Sequence, residues 1–239
     1  CLTEAHCGSD LGLLRTRAVP AGDGSYRITG SKIFISSGEH DLTDNIIHIV
    51  LARLPDAPAG IKGISLFVVP KFHVDEHGRP GARNAVRCGS IEHKMGIHGN
   101  ATCVMNFDEA SGYLISPPHK GMACMFTFIN ESRMGVAQQA LAQMEASHQT
   151  ALQYARERVQ FRAAQRPNPE AAADPIIQHP DVRRMLLTQK AFAEGGRALS
   201  YFLAKQTDIE RYAAEESAKE TADQLLSLLT PVAKGFLSE

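Results

Sequence analysis

The sequence predicts an α+β protein in which an antiparallel β-barrel or sandwich domain is followed by an antiparallel helical bundle. Three observations carry that expectation. Up to about residue 110, short apolar runs of strand length alternate with turns rich in Gly and Pro. After Pro117-Pro118 glycine thins out, and Ala, Leu, Gln, Glu and Arg dominate long uninterrupted stretches, a composition that favours helix. The chain has 239 residues, 44% of them hydrophobic, enough to bury a real core as one large domain or two smaller ones.

The elements follow in order. The opening CLTEAHCGSDLG is short of bulk and ends on a Gly-Ser-Asp turn, so it reads as a loop shaped to hold something. Asp23-Gly24 is a hairpin-type turn dipeptide, and Tyr26, Ile28 and Ile33-Phe34-Ile35 flank small polar residues in the strand after it. IIHIVLAR (46–53), ISLFVVP (64–70) and TCVMNF (102–107) are the next strands. A helix, broken or bent, is expected from near Gly121 through Arg158, with Met134, Ala137, Leu141 and Met144 on one face. RPNPEAAADP is a polar loop. His179-Pro180-Asp181 is a helix start, with Pro in the first turn and Asp at the positive end of the dipole. That helix is expected to reach about Gln206, and a last one to span roughly Ala213 to Leu229.

Several function classes find no support in the residues. A formal net charge of −1 supplies no field that would gather nucleic acid or an anionic membrane. Cys1, Cys7, Cys88, Cys103 and Cys124 contain no C-x-x-C pair and leave one cysteine over in any disulfide scheme, so a reducing cytoplasm fits best. No run of 18 apolar residues and no signal-peptide pattern occurs. Cys1, His6 and Cys7 are metal-ligand types, but zinc needs four donors and no second close pair joins them, so no metal is expected. G-x-G-x-x-G, the Walker loop and G-x-S-x-G are all missing from the sequence.

The remaining motifs form an ordered set. LTEAHCGSD (2–10) resembles the T-E-x-x-x-G-S-D flavin loop of the acyl-CoA dehydrogenase family, and GSYRITGSKIFISSG (24–38) resembles the hairpin that follows it. KMGIHGN (94–100) is similar to the family's K-x-G-x-R segment, with His98 where Arg is common. NESRMGVAQQALAQM (130–144) is similar to its long helix, and YARERVQF (154–161) to its Y-x-x-E-R-x-x-F. The resemblance implies a middle β-domain over 1–112, part of the C-terminal helical domain over 113–239, and a cradle whose N-terminal helical domain precedes Cys1. The implied cofactor is FAD. The implied activity is fatty acid metabolism by desaturation of an acyl-CoA thioester, the α-proton leaving to a carboxylate and the β-hydride to the flavin. An electron acceptor such as electron-transfer flavoprotein and a homodimer or homotetramer are the implied partners. An acyl-CoA oxidase, and a DNA-binding alkylation-response homologue of the same fold, share these motifs. The larger members, including those acting on 3-methylthiopropanoyl-CoA, are the most similar in pattern.

Residue by residue, the resemblance places Thr3 at the flavin pyrimidine edge, Ser36 toward N5, and Phe34 on the ring where the family usually has Trp. Ser9 stands between the flavin diphosphate and the CoA side, with Gly8 permitting close approach. Arg158 reaches the diphosphate of a flavin held by a neighbouring subunit, and Gln160 stands where Thr or Ser is frequent. Asn130 and Arg133 lie near the CoA moiety and the active-site floor. The usual Y-E-G base motif is not in this sequence, and the minority position for the base holds Ser132. Glu131 is one residue away, about 100° round a helix. The base is therefore expected outside this chain, with Glu131 the weaker candidate.

Overall fold

The computed structural model describes residues 1–238. They fall into two compact units, Cys1–Thr127 and Phe128–Glu239. The first unit is built from eight strands: β1 (Arg17–Pro20), β2 (Tyr26–Ser36), β3 (Ile47–Arg53), β4 (Ile64–Pro70), β5 (Phe72–Val74), β6 (Pro80–Arg83), β7 (Val86–Ile91) and β8 (Thr102–Leu114). The hydrogen-bonded order is β2-β1-β3-β4-β8-β7, and β2 also pairs with β8, so five strands close on themselves as a barrel. Closure removes the edges that an open sheet would expose. Pairing is antiparallel except for the single contact Arg17↔Arg53 between β1 and β3. β5 and β6 form a separate ribbon.

Alternation fills the interior. Val50 and Ala52 of β3, Phe67 and Val69 of β4, Ile28 of β2, and Cys103, Met105 and Phe107 of β8 all point into one core with Ala18 and Val86. β8 extends seven residues past the expected TCVMNF, because Ala110, Ser111 and Gly112 find partners in β2 and Tyr113 pairs with Val68 of β4. β1, β5, β6 and β7 were not expected. Their sequences, RAVP, FHV, PGAR and VRCGSI, are too short or too polar to announce a strand and gain order from the neighbours they pair with.

The chain then enters α1 (Gly121–Glu157), a single 37-residue helix with no break, against the expectation of one. Its first residue lies directly on β4: a Cβ at Gly121 would stand 2.5 Å from the Ser65 carbonyl carbon. The His119 N–H donates to Ser65 Oγ (2.9 Å) at the same place.

In the second unit α2 (Pro180–Tyr212) opens at the Pro-Asp signal as expected, but runs six residues beyond Gln206. α3 (Glu216–Ser238) starts three residues later than expected and continues nine beyond Leu229, through Pro231. In α3 burial accompanies the extension, with Thr230, Ala233 and Leu237 buried, whereas the last six residues of α2 include no buried one. Leu237 packs at Gly196 of α2, where Leu141 of α1 also arrives. Arg197 Nη2 donates to Glu145 Oε2 (2.6 Å), tying α2 to α1.

Candidate functional site

The opening loop is a tight hairpin. Glu4 and Cys7 exchange both backbone hydrogen bonds (2.8 and 3.0 Å) around Ala5-His6. Thr3 therefore faces Gly8, where an added Cβ would stand 3.2 Å from Thr3 Cγ2. Glycine is the residue that lets the two arms approach this closely. Ser9 follows, exposed. The Thr3 carbonyl accepts from Ile33 N–H (2.9 Å), which sets the hairpin beside the end of β2.

That end of β2 changes phase. Ile28 and Lys32 point inward, and simple alternation would send Phe34 and Ser36 after them. Instead a bulge against β8 lies between Lys32 and Ile35, with Phe34 in the left-handed region at φ 59. Ile33 and Ile35 turn inward, while Phe34 and Ser36 face out. Phe34 is 59% exposed, so it is not the core strand residue its neighbours suggest. Among the described residues the hydroxyls of Thr3, Ser9 and Ser36 make no side-chain hydrogen bond. An open aromatic face, uncommitted hydroxyls and a close-packed glycine fit a planar cofactor with hydrogen-bonding edges, as a flavin has.

Beneath this surface lies an ion pair that the motif reading did not single out. Lys32 is fully buried and donates to Glu4 Oε1 (2.9 Å) and to the Leu2 carbonyl (3.0 Å). Thr16 adds its hydroxyl (2.6 Å) and backbone N–H (3.0 Å) to the same oxygen, and Arg15 N–H takes Oε2 (2.9 Å). Burial pushes the Glu4 carboxyl up, but the hydrogen bonds from Thr16 and Arg15 and the Lys32 charge outweigh it and hold the group at about 2. Burial draws the Lys32 ammonium below the usual lysine range, and Glu4 partly restores it. Leu2 and Glu4 flank Thr3, so this network fixes the backbone that presents the Thr3 hydroxyl. The only legible hint was a Lys at an inward position of a strand.

Glu4, His6 and Cys7 also bring three donor atoms within 4.8 Å of one another. The Glu4 carboxylate is already filled by Lys32, Thr16 and Arg15, and the adjacent ammonium opposes a cation. His6 Nε2 sits on the Leu13 carbonyl (3.0 Å).

In the second unit the structure brings Arg158 and Gln160 together: Arg158 Nη2 donates to Gln160 Oε1 (2.9 Å). The loop that carries them is stapled by buried Asp174, which accepts from Ala163 N–H (2.8 Å) and Arg166 Nε (3.0 Å). The Ala163 N–H and the Arg166 guanidinium hold the Asp174 carboxyl below the usual range. Phe161, at φ 58, and Tyr154 flank Arg158 as exposed aromatics. On α1, Arg133 Nη1 lies 3.4 Å from Asn130 Oδ1, so these two residues also meet. Glu131 is exposed and is taken up by the Arg211 guanidinium of α2.

The family model of the acyl-CoA dehydrogenase middle domain matches residues 1–110, and that of the acyl-CoA dehydrogenase C-terminal domain matches residues 119–224. The chain belongs to the acyl-CoA dehydrogenase family. Over its whole length it is 47% identical to 3-methylmercaptopropionyl-CoA dehydrogenase of Ruegeria pomeroyi, of which it covers 40%. It is 45% identical to a broad-specificity linear acyl-CoA dehydrogenase of Mycobacterium tuberculosis, with the same coverage of each. The chain thus spans about 40% of the length of these relatives. Among solved structures, butyryl-CoA dehydrogenase of Megasphaera elsdenii superposes with a TM-score of 0.69 at 27% identity, over 99% of this chain and 56% of that one. Caenorhabditis elegans ACDH-11, solved with C11-CoA, shares the fold at a TM-score of 0.79 and 23% identity, over 99% of this chain and 37% of that one.

Proposed function

We propose that this chain forms the flavin- and thioester-facing part of an acyl-CoA dehydrogenase that places a double bond between the α and β carbons of an acyl-CoA. The observation that carries the reading is the bulge in β2, which turns Phe34 and Ser36 outward beside Thr3. FAD, when bound, supplies the acceptor for the β-hydride.

The chain's own residues bind and orient. Phe34 offers an aromatic face for the ring system, and it excludes water from one side of it. The Thr3 and Ser36 hydroxyls donate at its two polar edges, where such donors stabilise developing negative charge. Ser9 bonds toward the diphosphate and the CoA side, with Gly8 leaving room. Arg158, oriented by Gln160, supplies a guanidinium fork for the diphosphate of a flavin in a neighbouring copy, which makes the protein a homodimer or homotetramer. Asn130 and Arg133 bind the CoA moiety. Glu131, engaged by Arg211 on an exposed face, is not assigned the α-proton.

The names of the two relatives support linear and methylthio-substituted acyl groups as substrates, and the family resemblance supports an electron-transfer flavoprotein as the electron acceptor. The test is a dye-linked assay of the full-length flavoprotein across butyryl-, octanoyl- and 3-methylthiopropanoyl-CoA. The expected product is the α,β-unsaturated thioester. Turnover that consumes oxygen and ignores the dye would reassign the protein as an oxidase, and no unsaturated product from any thioester would refute the reading.

A further inference from the structure

The segment from Lys94 to Asn100 is built as a clamp on the end of β2. Lys94 Nζ donates to the carbonyls of Ile97 (2.7 Å) and Asn100 (2.6 Å), closing the segment on itself. His98 Nε2 lies 2.7 Å from the Lys94 carbonyl, and Asn100 N–H reaches Ile97 O (3.3 Å). The segment turns its polar groups onto its own backbone and leaves Met95 and Ile97 in solvent, Ile97 held at φ 54, an outlying conformation for a β-branched residue.

What this rigidity presents is the side-chain oxygen of Asn100. Asn100 Oδ1 accepts from both Ser37 N–H (3.0 Å) and Ser37 Oγ (2.9 Å), while Ala101 O shares the same N–H (2.8 Å). Ser37 is left-handed, at φ 54. Two left-handed residues, Phe34 and Ser37, therefore bracket Ile35-Ser36, and only the second has a side-chain anchor. Such a backbone persists where surrounding contacts over-determine it. Released from Asn100, Ser37 would relax toward the extended region and rotate the Ser36 hydroxyl with it.

We propose that Asn100 is a positioning residue: its amide oxygen holds Ser37 in the left-handed turn and so aims Ser36 and Phe34 at the bound cofactor, with Lys94 holding Asn100 in place. This rests on the reading that Phe34 and Ser36 face a flavin. Asn100 itself touches neither cofactor nor substrate in this role.

The test uses the full-length protein as wild type, Asn100→Ala, Asn100→Asp, which keeps the acceptor, and Lys94→Met. Three quantities are read: FAD affinity of the apoprotein, the visible spectrum of bound flavin, and the exchange rate of the Ser37 amide without FAD. Asn100→Ala is expected to weaken FAD about tenfold, the loss that follows when one or two hydrogen bonds no longer hold a site. It should also shift the flavin band and speed exchange at Ser37, whereas Asn100→Asp restores all three and Lys94→Met falls between. Wild-type affinity and spectrum in Asn100→Ala would overturn the proposal even if the melting temperature fell, since a mere brace would behave that way. Should Asn100→Ala fail to fold, Lys94→Met is read by the same criteria. If the wild-type protein takes up no FAD, the functional reading fails, and Ser37 exchange alone then decides the Asn100 link: faster exchange upholds it and unchanged exchange ends it.

Discussion

Lys32 and Glu4 show how single side chains serve a surface they do not reach. Each would be costly to bury alone, and the pair persists because Thr16, Arg15 and the Leu2 carbonyl complete its hydrogen bonds. Lys32→Met leaves a buried, unpaired carboxylate and should cost about 3–5 kcal/mol in urea unfolding, most of it recovered in the double variant with Glu4→Gln. The pH dependence has a definite sign. Glu4 is held at about 2 against an ordinary 4.5, so its contribution is complete above pH 4.5 and is lost as the pH falls toward 2. That contribution is on the order of 3 kcal/mol. Melting followed between pH 6 and 2.5 should show the loss, and Glu4→Gln should flatten that part of the curve. For the cofactor, Arg158→Ala should weaken FAD binding by about tenfold, and Gln160→Ala by less, because a charge-assisted contact to phosphate outweighs its orienting partner. Titration of the apoprotein checks both. Glu131→Gln should change kcat less than about twofold, since its carboxylate is spent on Arg211.

The β2 bulge and the start of α1 are the two elements where a local feature has the widest effect. The bulge is one extra residue that reverses the facing of everything after it in the strand. Phe34→Val tests it, because a β-branched residue resists φ 59 and would draw the strand back toward plain alternation. The expected readout is lost flavin affinity well beyond that of Phe34→Leu. At the start of α1, the missing Cβ of Gly121 lets the helix begin directly on the β4 backbone. Gly121→Val has no flexible neighbour to displace and should lower stability by about 1–3 kcal/mol, measured by thermal melting.

For the molecule as a whole, each unit has buried apolar residues of its own: the barrel interior in the first, and in the second Leu141 and Leu237, which meet at Gly196, together with buried Ala193 and Leu203. Among the described residues no helix is long and apolar enough to cross a membrane. A cofactor that binds only the folded state adds stability by mass action. FAD-loaded full-length protein should therefore melt above its apoprotein, by an amount equivalent to about 4 kcal/mol at a thousandfold excess over Kd. Differential scanning calorimetry should find that gap narrowed in Phe34→Ala.

The change from strands to helices after Pro117-Pro118, the longer strands and the helices could be read from the residues, because burial on one face imposes a period of two or of 3.6 on a local stretch. So could the candidates Thr3, Phe34 and Ser36, through the motifs that carry them. Their disposition could not. By alternation from Ile28 and Lys32 alone Phe34 would point inward, and it is the bulge against β8 that turns it out, while the left-handed Ser37 meets Asn100, 63 positions away. Lys32 stands at an inward position of its strand, but its partner Glu4 is 28 positions away and no local pattern names it. The last residues of α3 become helical where partners cover Thr230, Ala233 and Leu237. Each of these is a pairing between distant parts of the chain, and no local pattern records a free energy that arises only on contact.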